Sequence, residues 1–390
     1  MENYIAKVNE NVKLEEGKIV IQNMLINIYF SDGVSTKELA RKNSMPLPLI
    51  SAIKKECMKS DILVQERGVK LTEKGKSLVE KHLGYDGIDK ALYMKLIETP
   101  WGEHKELIKI RNRLESVFQN RPSANVVLDQ AKCTLDTALK RAVLCLKYSS
   151  LIGKKVLCIG DDDMVSIALG FLIKELFPLR KGNSTICVMD IDERILGYIN
   201  NIAKEEGLPI KTEKVDFRNT VISKYRDSFD CFFTDPPYTL QGMNLFLSRG
   251  LEAMKKEKGL PIFLSFAHKY PDFYLSMQKS FLEMGLMTSE IIPMFNNYEG
   301  AEIIGNSGQM IVLKTTGSTR PLIQNSYVGE LYTGEIKRTT RLYKCKKCGE
   351  VIKVGNSQKY LTIERLKSEG CEKCGGNTFV MVEKKTTVKK

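Results

Sequence analysis

The sequence predicts an α/β fold whose centre is a doubly wound, mostly parallel β-sheet. From residue 155 to about residue 315, short apolar runs typical of buried strands alternate with longer segments that have helical apolar spacing. Before this region, residues 18–84 have the pattern of three helices and a hairpin, which is typical of a winged helix. After it, two C-x2-C pairs predict a zinc ribbon. We therefore expect three modules.

The composition of the 390-residue chain is that of a globular protein, with 43% hydrophobic and 27% charged residues. No apolar run is long enough to span a membrane, and residues 1–17 lack the basic and apolar regions of a signal peptide. These features predict a cytoplasmic protein without membrane contact. The net charge of +13 is compatible with nucleic acid binding, but a lysine-rich surface also accounts for it. Nucleic acid is therefore a partner to consider and not the favoured one.

The predicted winged-helix domain covers residues 1–84. Helical apolar spacing runs over residues 18–30, and Ser35 and Pro46 are suited to start the next two helices. Gly68 separates two short strands that would form the wing. Such domains bind DNA, but they also serve in protein contact and dimerisation. For this chain we expect a homodimer.

The predicted catalytic domain covers residues 125–325 and follows a helical connector at residues 85–124. Its expected strands are residues 156–159, 185–189, 210–215, 231–234, 261–266 and 310–314. The last strand follows a turn that contains glycine, and we expect it to be antiparallel to the others. Seven strands that end in such a hairpin form the methyltransferase-like variant of the doubly wound sheet. Ligands of doubly wound sheets bind at the carboxyl ends of the strands, where the acidic residues of this chain fall.

The first strand ends in an acidic turn, Gly160-Asp161-Asp162-Asp163. A phosphate site here would need glycines and free backbone N–H groups, and three adjacent carboxylates would repel a phosphate. The ligand should therefore be cationic or neutral, as an S-adenosyl group with its sulfonium and amine is. The alternative is an aspartate that caps the next helix, but one aspartate is enough for that. The three together favour a functional site.

Acidic residues also follow the second and third strands. Asp190 ends the second strand, where a carboxylate can accept hydrogen bonds from both ribose hydroxyls of a nucleoside, and Asp192 could take over that role. Asp216 and Phe217 follow the third strand and could bind adenine, the first by accepting from its amine and the second by stacking. The alternative for each residue is a turn position at the end of a strand.

The fourth strand ends in Asp235-Pro236-Pro237-Tyr238. The two prolines remove two N–H donors and fix an extended loop, in which Pro236 would lie beside the cofactor. The free carbonyl groups and the Asp235 carboxylate can then accept hydrogen bonds from an amine and orient its lone pair for attack. Tyr238 offers an aromatic wall for a cation or a flat base. The same tetrapeptide is familiar from amino-methyltransferases, so it predicts a nitrogen nucleophile without identifying it.

Together these motifs resemble those of the branched-chain polyamine synthases, which are aminopropyltransferases that build N4-bis(aminopropyl)spermidine. The resemblance covers residues 18–315 and depends on the acidic turn and on the sequences MDIDE, DFR and DPPYT. It implies that decarboxylated S-adenosylmethionine is the donor and that the secondary amine of spermidine is the acceptor. It also implies that Gly160 to Asp163 carry the acceptor-side catalysis. The C-terminal cysteines are the main departure from the family pattern.

Aminopropyl transfer explains the need for carboxylates, because the acceptor amine is protonated at pH 7 and must lose a proton before it attacks the carbon next to the sulfonium. We predict Asp162 as the base, because the centre of the turn should lie nearest the donor. Asp235 and Tyr238 would orient the amine, and Asp161 and Asp163 would hold neighbouring ammonium groups. The alternative function is an S-adenosylmethionine-dependent amino-methyltransferase that acts on nucleic acid bases.

The predicted zinc ribbon covers residues 326–390. Its expected ligands are the four cysteines of two C-x2-C-G knuckles, namely Cys345, Cys348, Cys371 and Cys374. In each knuckle the glycine permits a turn in which backbone N–H groups reach the sulfurs. Four thiolates then complete a tetrahedral structural zinc site. A redox role for either pair is the alternative, but the matched pairs favour zinc.

Overall fold

The computed structural model describes residues 3–31, 33–99, 105–179, 182–299, 305–332, 337–355, 358–360 and 362–388. The chain forms two compact units. The first consists of Met1–Pro122, Lys132–Pro236 and Asn244–Tyr327, and the second consists of Ser123–Ala131, Pro237–Met243 and Val328–Lys390. The domain boundaries expected from the sequence stay predictions. Among the described residues, no helix has both the length and the apolar character that a membrane span needs.

The amino-terminal part of the first unit is mainly helical. Its helices are α1 (Asn3–Val12), α2 (Ile19–Phe30), α3 (Thr36–Lys42), α4 (Leu47–Lys59) and α5 (Glu73–Ser77), and a π-helical turn follows at Leu78–His82. The strands β1 (Leu63–Gln65) and β2 (Val69–Leu71) form an antiparallel hairpin between α4 and α5. The hydroxyl groups of Ser35 and Thr72 cap α3 and α5. The helices and the hairpin agree with the sequence pattern, while their assignment to a winged helix stays a prediction.

The remaining α-helices that the structure describes before the C-terminal module follow the expected α/β alternation. They are α6 (Lys90–Glu98), α7 (Ile108–Asn120), α8 (Leu135–Lys147), α9 (Val165–Leu176), α10 (Glu193–Glu206), α11 (Leu240–Ala253) and α12 (Pro271–Glu283). The first two lie in the predicted connector. Most helices after the connector are amphipathic, and α9, which is apolar except for Ser166, Lys174 and Glu175, is buried along most of its length.

A seven-stranded sheet forms the centre of the first unit. Its strands are β3 (Lys155–Ile159), β4 (Thr185–Asp190), β5 (Ile210–Lys214), β6 (Cys231–Thr234), β7 (Pro261–Ala267), β8 (Leu286–Asn297) and β9 (Ser307–Thr315). They lie in the order β5-β4-β3-β6-β7-β9-β8. Strands β3 to β7 are parallel, and β9 is antiparallel to both of its neighbours. This is the methyltransferase-like order with the terminal hairpin that the sequence predicts.

Strand β8 was not located by the sequence pattern, although a seventh strand was expected. Most of its side chains are exposed, and the polar run Thr288-Ser289-Glu290 hides the apolar alternation of a strand. Its position explains this pattern, because β8 is the last strand in the sheet and pairs with β9 alone among the described strands. An edge strand with exposed faces is not required to be apolar.

The register of the sheet brings separate motifs together. Ile159 of β3 lies opposite Met189 of β4 and opposite Thr234 of β6. The residues that follow these three positions are the start of the acidic turn, Asp190 and Asp235. Because parallel strands that are in register end at the same edge, these motifs are neighbours at the carboxyl edge of the sheet.

The described C-terminal part of the second unit is a small three-stranded antiparallel sheet with one helix. Its elements are β10 (Lys337–Cys345), β11 (Val351–Gly355), α13 (Ile363–Glu369) and β12 (Phe379–Val388). The strand order is β11-β10-β12. Its core is small and consists of Val354, Tyr360 and Leu366 with a few partly buried neighbours. A core of this size contributes little stability, which is why such modules usually depend on a metal or on disulfides.

Candidate active site

The turn after β3 is shaped by Gly160, whose φ of 72° lies in the left-handed region that glycine adopts without strain. The N–H of Gly160 donates to the carbonyl oxygen of Met189 at 2.9 Å. The carboxylate of Asp161 then accepts from the N–H groups of Val165 and Ser166 at 2.8 and 3.1 Å. Asp161 therefore caps α9, which is the role that the sequence left open for one aspartate. Its burial raises the pKa of Asp161 to about 7.

Asp163 is also buried and holds the acidic turn against α8. One carboxylate oxygen accepts from the N–H of Cys133 at 2.6 Å. The other forms an ion pair with Nη1 of Arg141, also at 2.6 Å. Both oxygens thus have partners inside the protein. These contacts make Asp163 part of the frame of the site, and its expected binding of an ammonium group stays a prediction.

Asp162 differs from its two neighbours. It is half-buried, and within the described parts of the chain its carboxylate has neither a hydrogen bond nor an ion pair. Burial raises the pKa of Asp162 well above its ordinary value, and the charges of Asp163, Asp190 and Asp235 raise it further. Of the three aspartates in the turn, Asp162 is therefore the one whose oxygens are available to a ligand.

Asp190 is positioned by two backbone N–H groups. Its oxygens accept from Asp161 at 3.1 Å and from Asp192 at 2.8 Å. Each carboxylate oxygen keeps a further lone pair, so Asp190 can still accept from ribose hydroxyls. Asp192 is less available than Asp190 to a ribose hydroxyl, because it caps α10 and its two oxygens accept hydrogen bonds from the guanidinium of Arg194 at 3.0 and 2.6 Å.

The third pair of expected ligand-binding residues lies in the loop after β5. Asp216 is partly exposed, and its carboxylate accepts from the N–H of Arg218 at 3.0 Å. Phe217 is only 4% exposed, and its ring packs against Phe246 with 5.0 Å between the centroids. Stacking on adenine needs an accessible ring face, and Phe217 offers little of one. The role of both residues in adenine binding stays a prediction.

Arg141 of α8 is the main residue that the sequence analysis missed. It is 2% exposed, and besides its ion pair with Asp163 its Nη2 lies 3.0 Å from Oδ2 of Asp235. Its Nε donates to Oδ1 of Asn296 at 3.0 Å. The signal was an arginine on the apolar face of α8, four residues before the buried Cys145. A charge at such a position needs partners, and here they are two carboxylates.

The sequence analysis also missed Tyr298, which is a second hydrogen-bond partner of the Asp235 carboxylate. Its hydroxyl group donates to Oδ2 of Asp235 at 2.6 Å, so the same oxygen is bound by Tyr298 and by Arg141. A β-bridge to Cys133 holds Tyr298 in place. The local sequence around Tyr298 carries no catalytic motif that could have identified it.

The two other expected site residues of the DPPY loop are Pro236 and Tyr238. Pro236 is buried directly after Asp235, whereas Tyr238 is half-buried and belongs to the second unit, so the expected role of Tyr238 stays a prediction.

The site is rich in negative charge. Burial raises the pKa of Asp235 to about 6, although Arg141 acts in the opposite direction. Lys132 is a further cation near Asp162, and burial lowers its pKa. Among the described residues, the five carboxylates of Asp161, Asp162, Asp163, Asp190 and Asp235 outnumber the nearby cations Arg141, Lys132 and Arg121. Such a site fits a cationic ligand and disfavours a phosphate.

A family model for the branched-chain polyamine synthase A C-terminal domain matches residues 109–352, which is more than half of the chain. The chain belongs to the branched-chain polyamine synthase A family. The match includes the acidic turn, Asp190 and the DPPY loop.

The chain is also similar in sequence or in structure to individual proteins. An uncharacterized protein of Methanocaldococcus jannaschii is 35% identical, over 97% of this chain and 93% of that protein. N(4)-bis(aminopropyl)spermidine synthases of Methanocaldococcus jannaschii and Thermococcus kodakarensis are 26% and 29% identical, each over 76% of this chain and 83% of the relative. The branched-chain polyamine synthase of Thermus thermophilus was solved with N4-aminopropylspermidine and 5′-methylthioadenosine. Its structure matches 85% of this chain and 97% of its own with a TM-score of 0.51 and 22% identity, which shows a shared fold.

This member of the polyamine synthase family also has a cluster of four cysteines in its second unit. The Sγ atoms of Cys345, Cys348, Cys371 and Cys374 all lie within 4.8 Å of one another. Two of the S–S separations are 3.6 Å, close to the roughly 3.8 Å edge of a tetrahedron with metal–sulfur bonds of about 2.3 Å. The glycine after each pair donates its N–H to the carbonyl oxygen of Cys345 or Cys371, at 2.9 and 2.7 Å. The cluster could therefore hold one metal ion.

Proposed function

We propose that this chain is an aminopropyltransferase that moves aminopropyl groups from decarboxylated S-adenosylmethionine to the secondary amine of spermidine, which gives a branched-chain polyamine. The observation that carries the proposal is the Asp162 carboxylate, which has no hydrogen bond or ion pair to a described residue and lies in an anionic site at the carboxyl edge of the sheet. Membership of the branched-chain polyamine synthase A family supports it. The names of the relatives, and the polyamine bound to the Thermus thermophilus enzyme, support the choice of acceptor.

The donor would bind along the edge formed by β3 and β4. Asp190, whose oxygens keep free lone pairs, would accept hydrogen bonds from the ribose hydroxyls. The sulfonium and the primary amine of the donor are positively charged and would face the carboxylates of the acidic turn. The 5′-methylthioadenosine bound to the Thermus thermophilus enzyme is what remains of this donor after it loses its aminopropyl group, and it supports this choice of donor.

The acceptor would bind between Asp162 and Asp235. Its amine loses a proton to the Asp162 carboxylate, and the nitrogen lone pair then forms a bond with the carbon next to the sulfonium. The C–S bond breaks, the sulfur keeps the electron pair, and 5′-methylthioadenosine leaves as a neutral thioether. Asp235, which Arg141 and Tyr298 hold in one orientation, would align the amine for this attack. The other ammonium groups of the polyamine would meet the remaining negative charge of the site.

The activity is tested by mass spectrometry of the products. Spermidine incubated with the protein and decarboxylated S-adenosylmethionine should gain one or two aminopropyl groups, and S-adenosylmethionine should give no polyamine product. A protein that methylates DNA or RNA and ignores spermidine would instead be an amino-methyltransferase, the alternative expected from the DPPY loop. The homodimer, the cytoplasmic location and any contact with nucleic acid stay predictions.

Replacing Asp190 by alanine should weaken the binding of decarboxylated S-adenosylmethionine by about 1–3 kcal/mol, because the ribose hydroxyls lose their charged acceptor. In the wild type, this donor should bind more tightly than S-adenosylmethionine, whose α-carboxylate the acidic turn repels. Isothermal titration calorimetry measures both effects, and Asp272→Ala, an exposed change on α12, is the control. Unchanged binding by Asp190→Ala would remove Asp190 from the donor site, and equal binding of both donors would favour a methyltransferase.

We also propose that the four cysteines hold one structural zinc ion. Metal analysis of the purified protein should find one zinc per chain, and the double change Cys345→Ser and Cys348→Ser should remove it while the first unit stays folded. The matched control is Lys346→Ser with Lys347→Ser, which changes the same turn without touching a thiol. A disulfide between Cys345 and Cys348 in reduced, zinc-supplied protein would contradict the assignment.

A further inference from the structure

A second cavity of the first unit lies on the opposite edge of the sheet from the acidic site. Its volume is about 800 Å³, within the range of small-molecule sites. Pro261 at the start of β7 and Thr315 at the end of the antiparallel β9 lie in its lining. These positions mark the amino edge of the parallel strands, whereas the acidic turn follows their carboxyl ends. The cavity is therefore separate from the proposed catalytic site.

The lining of this cavity is suited to a flat ring. Apolar side chains come from α2 and α6, among them Ile19 and Ile97. Phe30 and Tyr93 stack with 4.0 Å between their centroids and 9° between their planes, and both reach the cavity. Tyr148, the residue after α8, adds a third aromatic ring. Aromatic rings at a cavity wall favour an aromatic ligand through offset or edge-to-face packing.

Two polar groups of the lining have no hydrogen bond or ion pair among the described residues. Lys314 is half-buried with its Nζ 5.6 Å from the ring centre of Tyr148, and it has no hydrogen bond or ion pair to any described residue. Glu290 is the carboxylate whose charge acts on Lys314, but it accepts a hydrogen bond from the Tyr148 hydroxyl. The half-buried amide of Asn23 likewise has no partner in the described part of the chain.

Among the described residues, none of the other charged side chains of the lining forms an ion pair with Lys314. Lys147 is half-buried like Lys314 and donates to the carbonyl oxygen of Thr99 at 2.8 Å, and it brings a second positive charge to the lining. Of the carboxylates in the lining, Glu15 forms an ion pair with Lys258, Glu98 is exposed to solvent, and the half-buried Glu16 forms no ion pair with a described residue. Burial lowers the pKa of both Lys147 and Lys314, which indicates that their ammonium groups are poorly solvated.

We propose that this cavity binds a small anion that carries a flat aromatic ring. The ring packs against the aromatic wall formed by Phe30, Tyr93 and Tyr148. The anionic group binds the ammonium of Lys314, with Lys147 nearby, and restores the solvation that burial removes. The amide of Asn23 supplies a hydrogen bond to the ligand.

The test uses two fluorescent probes with the same rings. One is 8-anilinonaphthalene-1-sulfonate, an anion, and the other is N-phenyl-1-naphthylamine, which is neutral. The full-length wild type should bind one anionic probe per chain, about tenfold more tightly than the neutral probe, the size of one charge-assisted hydrogen bond. The change Lys314→Met should abolish this preference, while Lys279→Met, an exposed lysine of α12, should keep it.

A second variant tests the cavity itself. Asn23→Trp should fill the space and weaken both probes at least about tenfold, with the fold checked by circular dichroism. Displacement of the anionic probe by adenosine monophosphate would identify a phosphate ligand, and displacement by indole-3-acetate would identify a carboxylate. Equal binding of the two probes to the wild type, equal affinity in Asn23→Trp, or failure of both competitors would overturn the inference.

Discussion

Asp162→Asn should lower the turnover number of aminopropyl transfer by about 10²–10⁴-fold, the usual size of a general-base contribution. The amide keeps the shape of the carboxylate but does not take a proton from the acceptor amine. Binding of 5′-methylthioadenosine should stay close to that of the wild type, because Asp190 and not Asp162 is expected to contact the nucleoside. Single-turnover kinetics with spermidine, together with calorimetry of the nucleoside, separate the two effects.

The pH dependence provides an independent check of the same residue. The deprotonated form of Asp162 is the active one, and its pKa is raised, so the wild-type rate should rise with pH through that elevated pKa. The Asp162→Asn protein depends on the small fraction of free amine and should respond more steeply to pH. Asp272→Asn, an exposed change, should leave the profile unaltered. A near-wild-type rate for Asp162→Asn would place the base elsewhere, with Asp235 as the next candidate.

Arg141→Leu should lower the free energy of unfolding by about 3–5 kcal/mol, the usual cost of leaving a buried charge without its partner. Asp163 and Asp235 both lose their ion pair with Arg141 in this variant. The two carboxylates are largely buried, so water does not replace the lost partner. The loss should be smaller at pH 5 than at pH 8, because the unpaired carboxyl groups can then take up protons and become neutral. Urea unfolding at the two pH values measures the difference.

Two controls make the Arg141 experiment specific. Arg111→Leu removes a partly exposed arginine that pairs with Asp136, and it should change the unfolding free energy by no more than about 1 kcal/mol. Adding Asp163→Asn and Asp235→Asn to Arg141→Leu removes the uncompensated charges and should recover most of the stability. If the triple variant is as unstable as Arg141→Leu, the loss comes from packing and not from the ion pairs.

The sequence was sufficient to locate the parallel strands and the motifs at their ends. Buried strands such as β3 and β6 are continuous apolar runs with sharp ends, so their positions follow from local sequence. The methyltransferase-like order then places every residue that follows such a strand at one edge of the sheet. For this reason Asp162, Asp190 and Asp235 could be grouped before their contacts were known. The edge strand β8 lacks the apolar signal and could not be located in this way.

Only the tertiary structure distinguished the three aspartates of the turn. They are consecutive and chemically identical, so no local pattern separates them. The Asp161 carboxylate accepts a hydrogen bond at the start of α9, and the Asp163 carboxylate pairs with Arg141, which lies 22 residues earlier in the chain. Asp162, by contrast, has no hydrogen bond or ion pair to any residue that the structure describes. Contacts of this kind depend on how elements that are distant in the sequence pack against one another. The hydrogen bond from Tyr298 to Asp235, which lies 63 residues earlier in the chain, is another example.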